Sequence, residues 1–300
     1  MIVVFGSINV DFVARVERLP QPGETLVGRS FAMLPGGKGA NQALAARRAG
    51  GDVTLFGCIG RDEAMYSIAL RALVRDGVDL TGIHKVDAAS GVALIHVDRR
   101  GENCITVVAG ANADARATQV PDAMLSDETI VLMQLELPGD EVAALANRAR
   151  SRGARVILNA APFVALPAAL LDDVDVLVVN ESEARGLARG TGDESMADVC
   201  RRLATPMRSV VATLGASGAL YAHANDVRIQ AAPAIDVVDS VGAGDAFTGA
   251  LAVALDRGDA FADAIRQAVA AGTLACLATG AQDSLPTRAA IDRAVGTLPA

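Results

Sequence analysis

Tryptophan is absent from the 300-residue chain and aromatic residues make up only 3% of it. That excludes the stacking platforms on which single-stranded nucleic-acid binders depend. Positive charge is also short: 27 Lys and Arg against 35 Asp and Glu leave a net charge of −8. A protein that coats duplex DNA presents a basic face, so that class is excluded as well. An anionic small ligand is not, because backbone amides hold phosphate locally. The four cysteines, Cys58, Cys104, Cys200 and Cys276, are scattered, with no C-x-x-C pair and no neighbouring histidine. They read as buried free thiols of a reducing compartment. His84, His96 and His223 have no metal-ligand spacing. No run reaches the roughly 20 apolar residues of a membrane span, and the chain opens on Ile2-Val3-Val4-Phe5 without a basic leader. A cytoplasmic protein that needs neither membrane nor nucleic acid is expected. Also missing are a P-loop, a G-x-S-x-G nucleophile turn and the early G-x-G-x-x-G of a nicotinamide-dependent dehydrogenase.

What is present is globular: 51% apolar and 21% charged residues. At this length about three-quarters of the unfolded surface can be buried. Short Val/Ile/Leu runs at 2–6, 53–57, 130–135, 155–159, 175–179 and 209–213 alternate with helical patterns. The helices are expected at 39–49, 61–76, 138–151, 194–205, 244–256 and 260–278. That alternation predicts an α/β fold with a parallel sheet flanked by helices. Two regions break the rhythm. Residues 10–33 carry Pro20, Pro22 and Gly23 among strand-like pieces, and 91–108 alternate as two strands around a polar turn. Alternation suggests half-exposed antiparallel pairing. The expectation is a single domain over 1–300, with a small sheet built from these two insertions beside the main body.

Asp239-Ser-Val-Gly-Ala-Gly-Asp245 leads into an alanine-rich helix. Its glycines permit tight turns and the helix start offers unpaired N–H groups, which attract charge developing on a phosphoryl group. Asp245 beside them can accept a proton from an attacking hydroxyl. An ordinary glycine turn with a dipole-favoured Asp would look the same. Gly36-Gly37-Lys38-Gly39-Ala40-Asn41-Gln42 opens a second helix and combines close approach, one charge and an amide; a flexible turn with a cap is the alternative. Asn9, Asp11 and Glu136 follow strands, where α/β sheets bind ligands, and carboxylates with an amide suit a vicinal diol. Asn180 and Glu183, three apart on one helical face, suit water-mediated Mg²⁺ or a plain helix cap. Thr213-Leu214-Gly215-Ala216-Ser217-Gly218 is a glycine loop compatible with nucleotide phosphates or a turn.

In order along the chain come G-S-I-N-V-D at 6–11, P-x-P-G-E-T at 20–25, G-G-K-G-A-N-Q-A at 36–43 and G-V-A-L-I-x-V at 91–97. Then follow G-E-N at 101–103, A-G-A-N-A at 109–113, L-M-Q-L-E at 132–136, N-E-S-E at 180–183, T-L-G-x-x-G at 213–218 and D-S-V-G-A-G-D-A-F from Asp239. Together they closely resemble the ribokinase-like, PfkB-type sugar kinases over nearly the whole chain. The segments at 91, 109 and 132 lean toward the branch that phosphorylates ribose.

The resemblance implies a Rossmann-like α/β body with a β-sheet lid, and ATP-dependent phosphorylation of D-ribose at O5. Deoxyribose, another pentose or a ketohexose is the alternative substrate, and a non-catalytic sugar-binding relative the remoter one. It makes Asp245 the catalytic base and the amides of Gly242, Ala243 and Gly244 an anion hole. Asn9, Asp11, Gly37, Lys38, Gly39, Ala40, Asn41 and Glu136 would surround the sugar, with Ile105 packing on it from the lid. Asn180, Glu183, the loop Thr213, Leu214, Gly215, Ala216, Ser217 and Gly218, and the Gly244–Asp245 turn would hold ATP with its Mg²⁺. Oxygens of Asp239, Val241, Ala275, Ala278, Gly280 and Ser284 would hold a monovalent cation, K⁺. Lid-mediated homodimers are implied too. Two departures stand out: N-A-A-P at 159–162 in place of N-P-A-P, and Ala278-Thr279 in place of a pair that is often basic.

Overall fold

The computed structural model describes residues 1–164, 166, 168–189, 194–223 and 226–299. In chain order the strands are β1 (Ile2–Phe5), β2 (Asn9–Arg15), β3 (Ser30–Gly36), β4 (Val53–Gly60), β5 (Asp79–Val86), β6 (Gly91–Val97) and β7 (Asn103–Val108). They continue as β8 (Ile130–Met133), β9 (Arg155–Asn159), β10 (Val176–Asn180), β11 (Ser209–Thr213), β12 (Ala219–His223) and β13 (Asp226–Gln230). The helices are α1 (Lys38–Arg48), α2 (Glu63–Asp76), α3 (Gly139–Ser151), α4 (Ala168–Asp172) and α5 (Glu181–Ala188). After them come α6 (Met196–Leu203), α7 (Ala243–Asp256), α8 (Phe261–Ala275) and α9 (Arg288–Val295).

Nine strands form the main sheet in the order β13-β12-β11-β10-β9-β8-β1-β4-β5. Pairing is parallel from β5 through β11. It turns antiparallel at the β11–β12–β13 edge, a hairpin that the parallel pattern did not anticipate. Strand periodicity sorts the core. Ile2 and Val4 of β1 point into one apolar layer with Leu44, Leu73, Leu251 and Ile265, while Val3 and Phe5 point into the opposite one with Leu145, Leu158 and Val199. Covering both faces is why β1, β4 and β8 read as unbroken apolar runs. Each fully buried leucine contributes about 1.5–3 kcal/mol to holding the layers together.

The small sheet has the order β3-β2-β6-β7. β2–β3 and β6–β7 are antiparallel, but the central β2–β6 pair is parallel. The reason is topological: β2 and β6 each leave the same end of the parallel sheet, after β1 and β5 respectively. β7 is an edge strand exposed throughout, which corrects one expectation about the thiols. Cys104 on β7 is exposed and Cys276 is half-buried; only Cys58 and Cys200 are fully buried. Burial pushes the Cys200 thiol up to about 11, so it stays protonated. Among the described residues no helix is long and apolar enough to cross a membrane.

Two close approaches place the site. A Cβ on Gly39 would fall 2.3 Å from the carbonyl carbon of Gly6, so the start of α1 sits directly on the β1–β2 turn. A Cβ on Gly249 would fall 2.6 Å from Cβ of Ala45, so α7 lies close along α1. These contacts bring Asn41 and Gln42 against Asp245, more than 200 residues away in sequence.

Candidate active site

The turn before α7 needs glycine at Gly242, where φ is +82° and a Cβ would lie 2.6 Å from the Ala281 carbonyl oxygen. The Ala243 N–H donates to Ser240 O at 3.2 Å. The N–H groups of Gly242, Gly244 and Asp245 have no partner among the described residues, and open space lies beside Gly244. Of the three amides expected to form an anion hole, that of Ala243 is therefore turned into the loop. The 14-residue α7 adds its positive dipole end at the same place. Asp245, 7% exposed, takes hydrogen bonds on both oxygens: Asn41 Nδ2 donates to Oδ2 and Gln42 Nε2 to Oδ1, each at 2.9 Å.

An acidic cluster faces this turn. Asp11 lies over Gly36, where a Cβ would come within 2.2 Å of its carboxylate. Burial, then the Glu136 and Asp245 carboxylates, push the Asp11 carboxyl up to about 7, against the pull of Lys38. Burial works against the Lys38 ammonium, but Asp245, Glu136, Glu183 and Asp11 outweigh it and raise its pKa. Glu136 Oε2 accepts from Ser7 Oγ and from the Lys38 N–H, the latter at 3.0 Å, which ties the end of β8 to the start of α1. Asn9 is buried, and its Oδ1 accepts from Asn112 Nδ2 at 2.7 Å, leaving its amino group for a ligand. The backbone of Gly37, at φ +90°, packs on Ser7 and Asn9. The amides of Gly39 and Ala40 donate to Ser7 Oγ and Ser7 O, at 3.3 and 2.9 Å; both residues seat α1 rather than face the pocket. Ile105 is 51% exposed; the β2–β6–β7 register puts it on the sheet face that carries Asp11.

Beyond the turn lies a cavity of about 470 Å³, within the range of a nucleoside-sized ligand. Thr213, Gly215, Ala216 and Gly218 line it from the glycine loop; Leu214 and Ser217 are not among its lining residues. Residues 232–235 and Val237 close one side, α8 supplies Val269, Gly272 and Thr273, and Cys276 just beyond it completes the wall. Ala243, Gly244 and Phe247 of α7 form the wall shared with the Gly242–Asp245 turn. Asn180 and Glu183 make a reciprocal helix cap: Asn180 Oδ1 accepts from the Glu183 N–H and Glu183 Oε2 accepts from the Asn180 N–H, both at 2.8 Å. Burial raises the Glu183 pKa, while the Asn180 bond and Lys38 oppose that rise.

Asp239 clamps two loops. Its Oδ1 accepts from the Val241 N–H and its Oδ2 from the Gly280 N–H, each at 3.0 Å. Ser284 Oγ is buried without a partner among the described residues. The unmet Ser284 hydroxyl and the Asp239 carboxylate are oxygen donors of the kind a hard monovalent cation takes. Among the described residues no group of three or more His, Cys, Asp or Glu side chains could hold a metal ion.

Four further polar residues surround Asp245 that the sequence does not single out. Gln42, Gln134, Asn159 and Gln282 are all buried and join Asp245 and Asn41 in one hydrogen-bonded network. The first three lie inside segments matched above, but nothing in those segments marks the side chains as partners of Asp245. Asn112, which holds Asn9, is buried and unmarked in the same way.

The sequence matches the pfkB family of carbohydrate kinases over residues 1–288. It is 36% identical over 293 residues to a ribokinase of Haemophilus influenzae, covering 96% of this chain and 95% of that one. The fold superposes on the ribokinase of Thermotoga maritima with a TM-score of 0.90 at 30% identity, covering 98% of this chain and 99% of that one. For Arabidopsis thaliana ribokinase complexed with ribose and ATP the TM-score is 0.88 at 31% identity, with 98% of each chain covered. The chain belongs to the pfkB family of carbohydrate kinases, and it is a phosphotransferase. Within that family its sequence and its fold both stand with the ribokinases.

Proposed function

We propose that this protein transfers the γ-phosphoryl group of ATP to O5 of D-ribose, giving D-ribose 5-phosphate and ADP. The observation that carries the reading is the position of Asp245. It stands in the first turn of α7, between the acidic cluster of Asp11 and Glu136 and the cavity bordered by Gly244. Asp11, Glu136, Asn9 and Asn41 bind the sugar hydroxyls, and Ile105 closes on the ring from the small sheet, which acts as a lid. Asp245 takes the proton of the 5-hydroxyl as its oxygen attacks the γ-phosphorus and the bond to the bridging oxygen of ADP breaks. Charge on the three equatorial oxygens meets the amides of Gly242 and Gly244 and the end of the α7 dipole. Lys38, charged and central to the four carboxylates, balances the approach of sugar and phosphates.

Asn180 and Glu183 would hold the waters of a Mg²⁺ ion bound with ATP, and that ion would supply charge to neutralise the phosphates. Asp239, Ser284 and the carbonyls of Val241, Ala275, Ala278 and Gly280 would hold K⁺, whose charge would support the amide turn. The exposed apolar face around Ile105 and Val107 is covered in a homodimer through the lid. A cytoplasmic location accords with ATP as co-substrate and with four unpaired thiols.

A coupled ADP-release assay tests the whole reading. It compares D-ribose, 2-deoxyribose, another pentose and a ketohexose, each with K⁺ and with a bulky organic cation at equal ionic strength. D-Ribose should give the highest kcat/KM, and K⁺ should raise the rate. A higher kcat/KM for another sugar would reassign the substrate, and ribose binding without ADP release would remove the activity. Equal rates with both cations would reject the cation site.

A further inference from the structure

The wall behind Asp245 is built from amide side chains rather than hydrocarbon. Gln42 is 0% exposed, and Gln134 and Gln282 are 1% exposed each, so none of the three reaches a substrate. Their hydrogen bonds run in one direction. Asn159 Nδ2 donates to the Val178 carbonyl at 3.2 Å, which leaves Asn159 Oδ1 to accept from Gln42 Nε2 at 2.9 Å. Gln134 Nε2 donates to Gln42 Oε1 at 2.7 Å. Gln42 thus has its oxygen held by one neighbour and its amino group by another. The second hydrogen of that amino group meets Asp245 Oδ1. Reversing the Gln42 amide would set amino group against amino group at Gln134, and oxygen against oxygen at Asn159 and Asp245. On the other side, Gln282 Nε2 donates to Asn41 Oδ1 at 3.1 Å, which turns Asn41 Nδ2 onto Asp245 Oδ2.

Two of these side chains oppose folding. Gln134 Oε1 and Gln282 Oε1 are buried with no partner among the described residues, and an unmet buried acceptor is destabilising. Gln134 Oε1 lies against Gly6, where a Cβ would come within 2.2 Å of it. A methionine would fill either place and remove that acceptor, but it would leave Gln42 Oε1 or Asn41 Oδ1 without its donor. What each glutamine supplies that hydrocarbon cannot is one directed N–H on the next amide in line.

We propose that Gln42, Gln134 and Gln282 are positioning residues for Asp245, forming two amide relays that hold one N–H on each carboxylate oxygen. The relays fix the plane of the carboxylate and leave its remaining lone pairs to the substrate hydroxyl. The inference rests on Asp245 being the base. It extends the working parts of the site into the core, to Gln134 after β8 and to Gln282 in the loop that also carries Gly280 and Ser284.

The test is Gln134→Met, with Gln282→Met as its counterpart on the other oxygen. Misplacement of a reacting group is worth up to about a hundredfold in rate. For Gln134→Met kcat should therefore fall about tenfold, with sugar and ATP KM little changed and the melting temperature within about 2 °C of wild type, because one unmet acceptor is exchanged for another. On an Asp245→Asn background Gln134→Met should add no further loss, because its effect runs through that carboxylate. Unchanged kcat in both methionine variants would overturn the proposal. So would a loss that follows a lowered melting temperature, or one equally large on the Asp245→Asn background. Full turnover by Asp245→Asn alone would instead sink the assignment of the base, whatever the glutamines do.

Discussion

Strands β1 and β7 are both short and largely apolar, Ile-Val-Val-Phe and Asn-Cys-Ile-Thr-Val-Val, and they lie at opposite extremes. Every residue of β1 is buried between two helical layers, and every residue of β7 is exposed. Apolar sequence does not decide burial by itself; neighbours do. β1 has a parallel partner on each side and helices on both faces, whereas β7 pairs only with β6 at an edge. The body around β1 therefore holds α1 and α7 in fixed relation before any ligand arrives. The small sheet carries a face whose apolar side chains gain from being covered. In the proposed reaction the first region supplies geometry, which must be accurate to a fraction of an ångström, and the second supplies enclosure.

Unseating α1 should have the largest effect. Gly39→Ala places a Cβ 2.3 Å from Gly6 C and 2.4 Å from Ser7 N, backbone atoms that cannot swing aside. A forced shift of this kind costs about 1–3 kcal/mol. Thermal denaturation should show a loss of about 5 °C, and turnover should fall more than about tenfold because Asn41 and Gln42 move with the helix. A wild-type melting curve with full activity would mean that this contact does not hold the site.

Asp11 links the two regions, being a body-facing carboxylate on a strand of the small sheet. Its pKa is raised to about 7, so its protonated form suits the folded state. A carboxyl raised in this way contributes most below its ordinary value of 3.8, and that contribution is lost as pH rises through about 7. Asp11→Asn has no proton to lose. Between about pH 5 and about pH 8 its melting temperature should gain on the wild type by about 2–4 °C. The sugar KM should rise about tenfold at the higher pH, where the wild type presents an ionised acceptor. Parallel melting curves at both pH values would contradict the raised pKa.

Ile105→Ala sharpens the comparison from the other side. As an exposed edge residue it should change the melting temperature by less than about 1 °C. The sugar KM should nonetheless rise about three- to tenfold, the low end for an apolar contact in a pocket. An unchanged KM would leave β7 outside the sugar site.

The same contrast explains what can be seen in the sequence. β1, β4 and β8 to β11 stand out because burial on both faces demands continuous apolar runs, and their helices show complementary periodicity. β5 does not, because its burial is intermittent along Asp79–Val86. The β12–β13 hairpin follows a glycine loop and pairs antiparallel at the edge, where the pattern is weak. Asp245, Asp11, Asn41 and Glu136 are legible as polar residues beside glycine turns and strand ends. The glutamine relays are not. Gln134 meets Gln42 across 92 positions and Gln282 meets Asn41 across 241, and only the tertiary fold, which sets the end of β8 and the loop after α8 against α1, brings such partners together. The amides of Gly39 and Ala40 show the converse: a motif can mark a place correctly while its individual groups serve the seating of a helix.

Asp245→Asn bears most directly on the claim that a rigid body presents one carboxylate to the sugar hydroxyl. The substitution keeps the size and the position in the first turn of α7, but an amide cannot take the proton as a carboxylate does. With saturating D-ribose and ATP, turnover should fall about 10²–10⁴-fold, the usual worth of a positioned general base. KM values for both substrates should change far less, since the sugar-binding groups and the nucleotide cavity remain. A variant that keeps more than about a tenth of wild-type turnover would contradict the account.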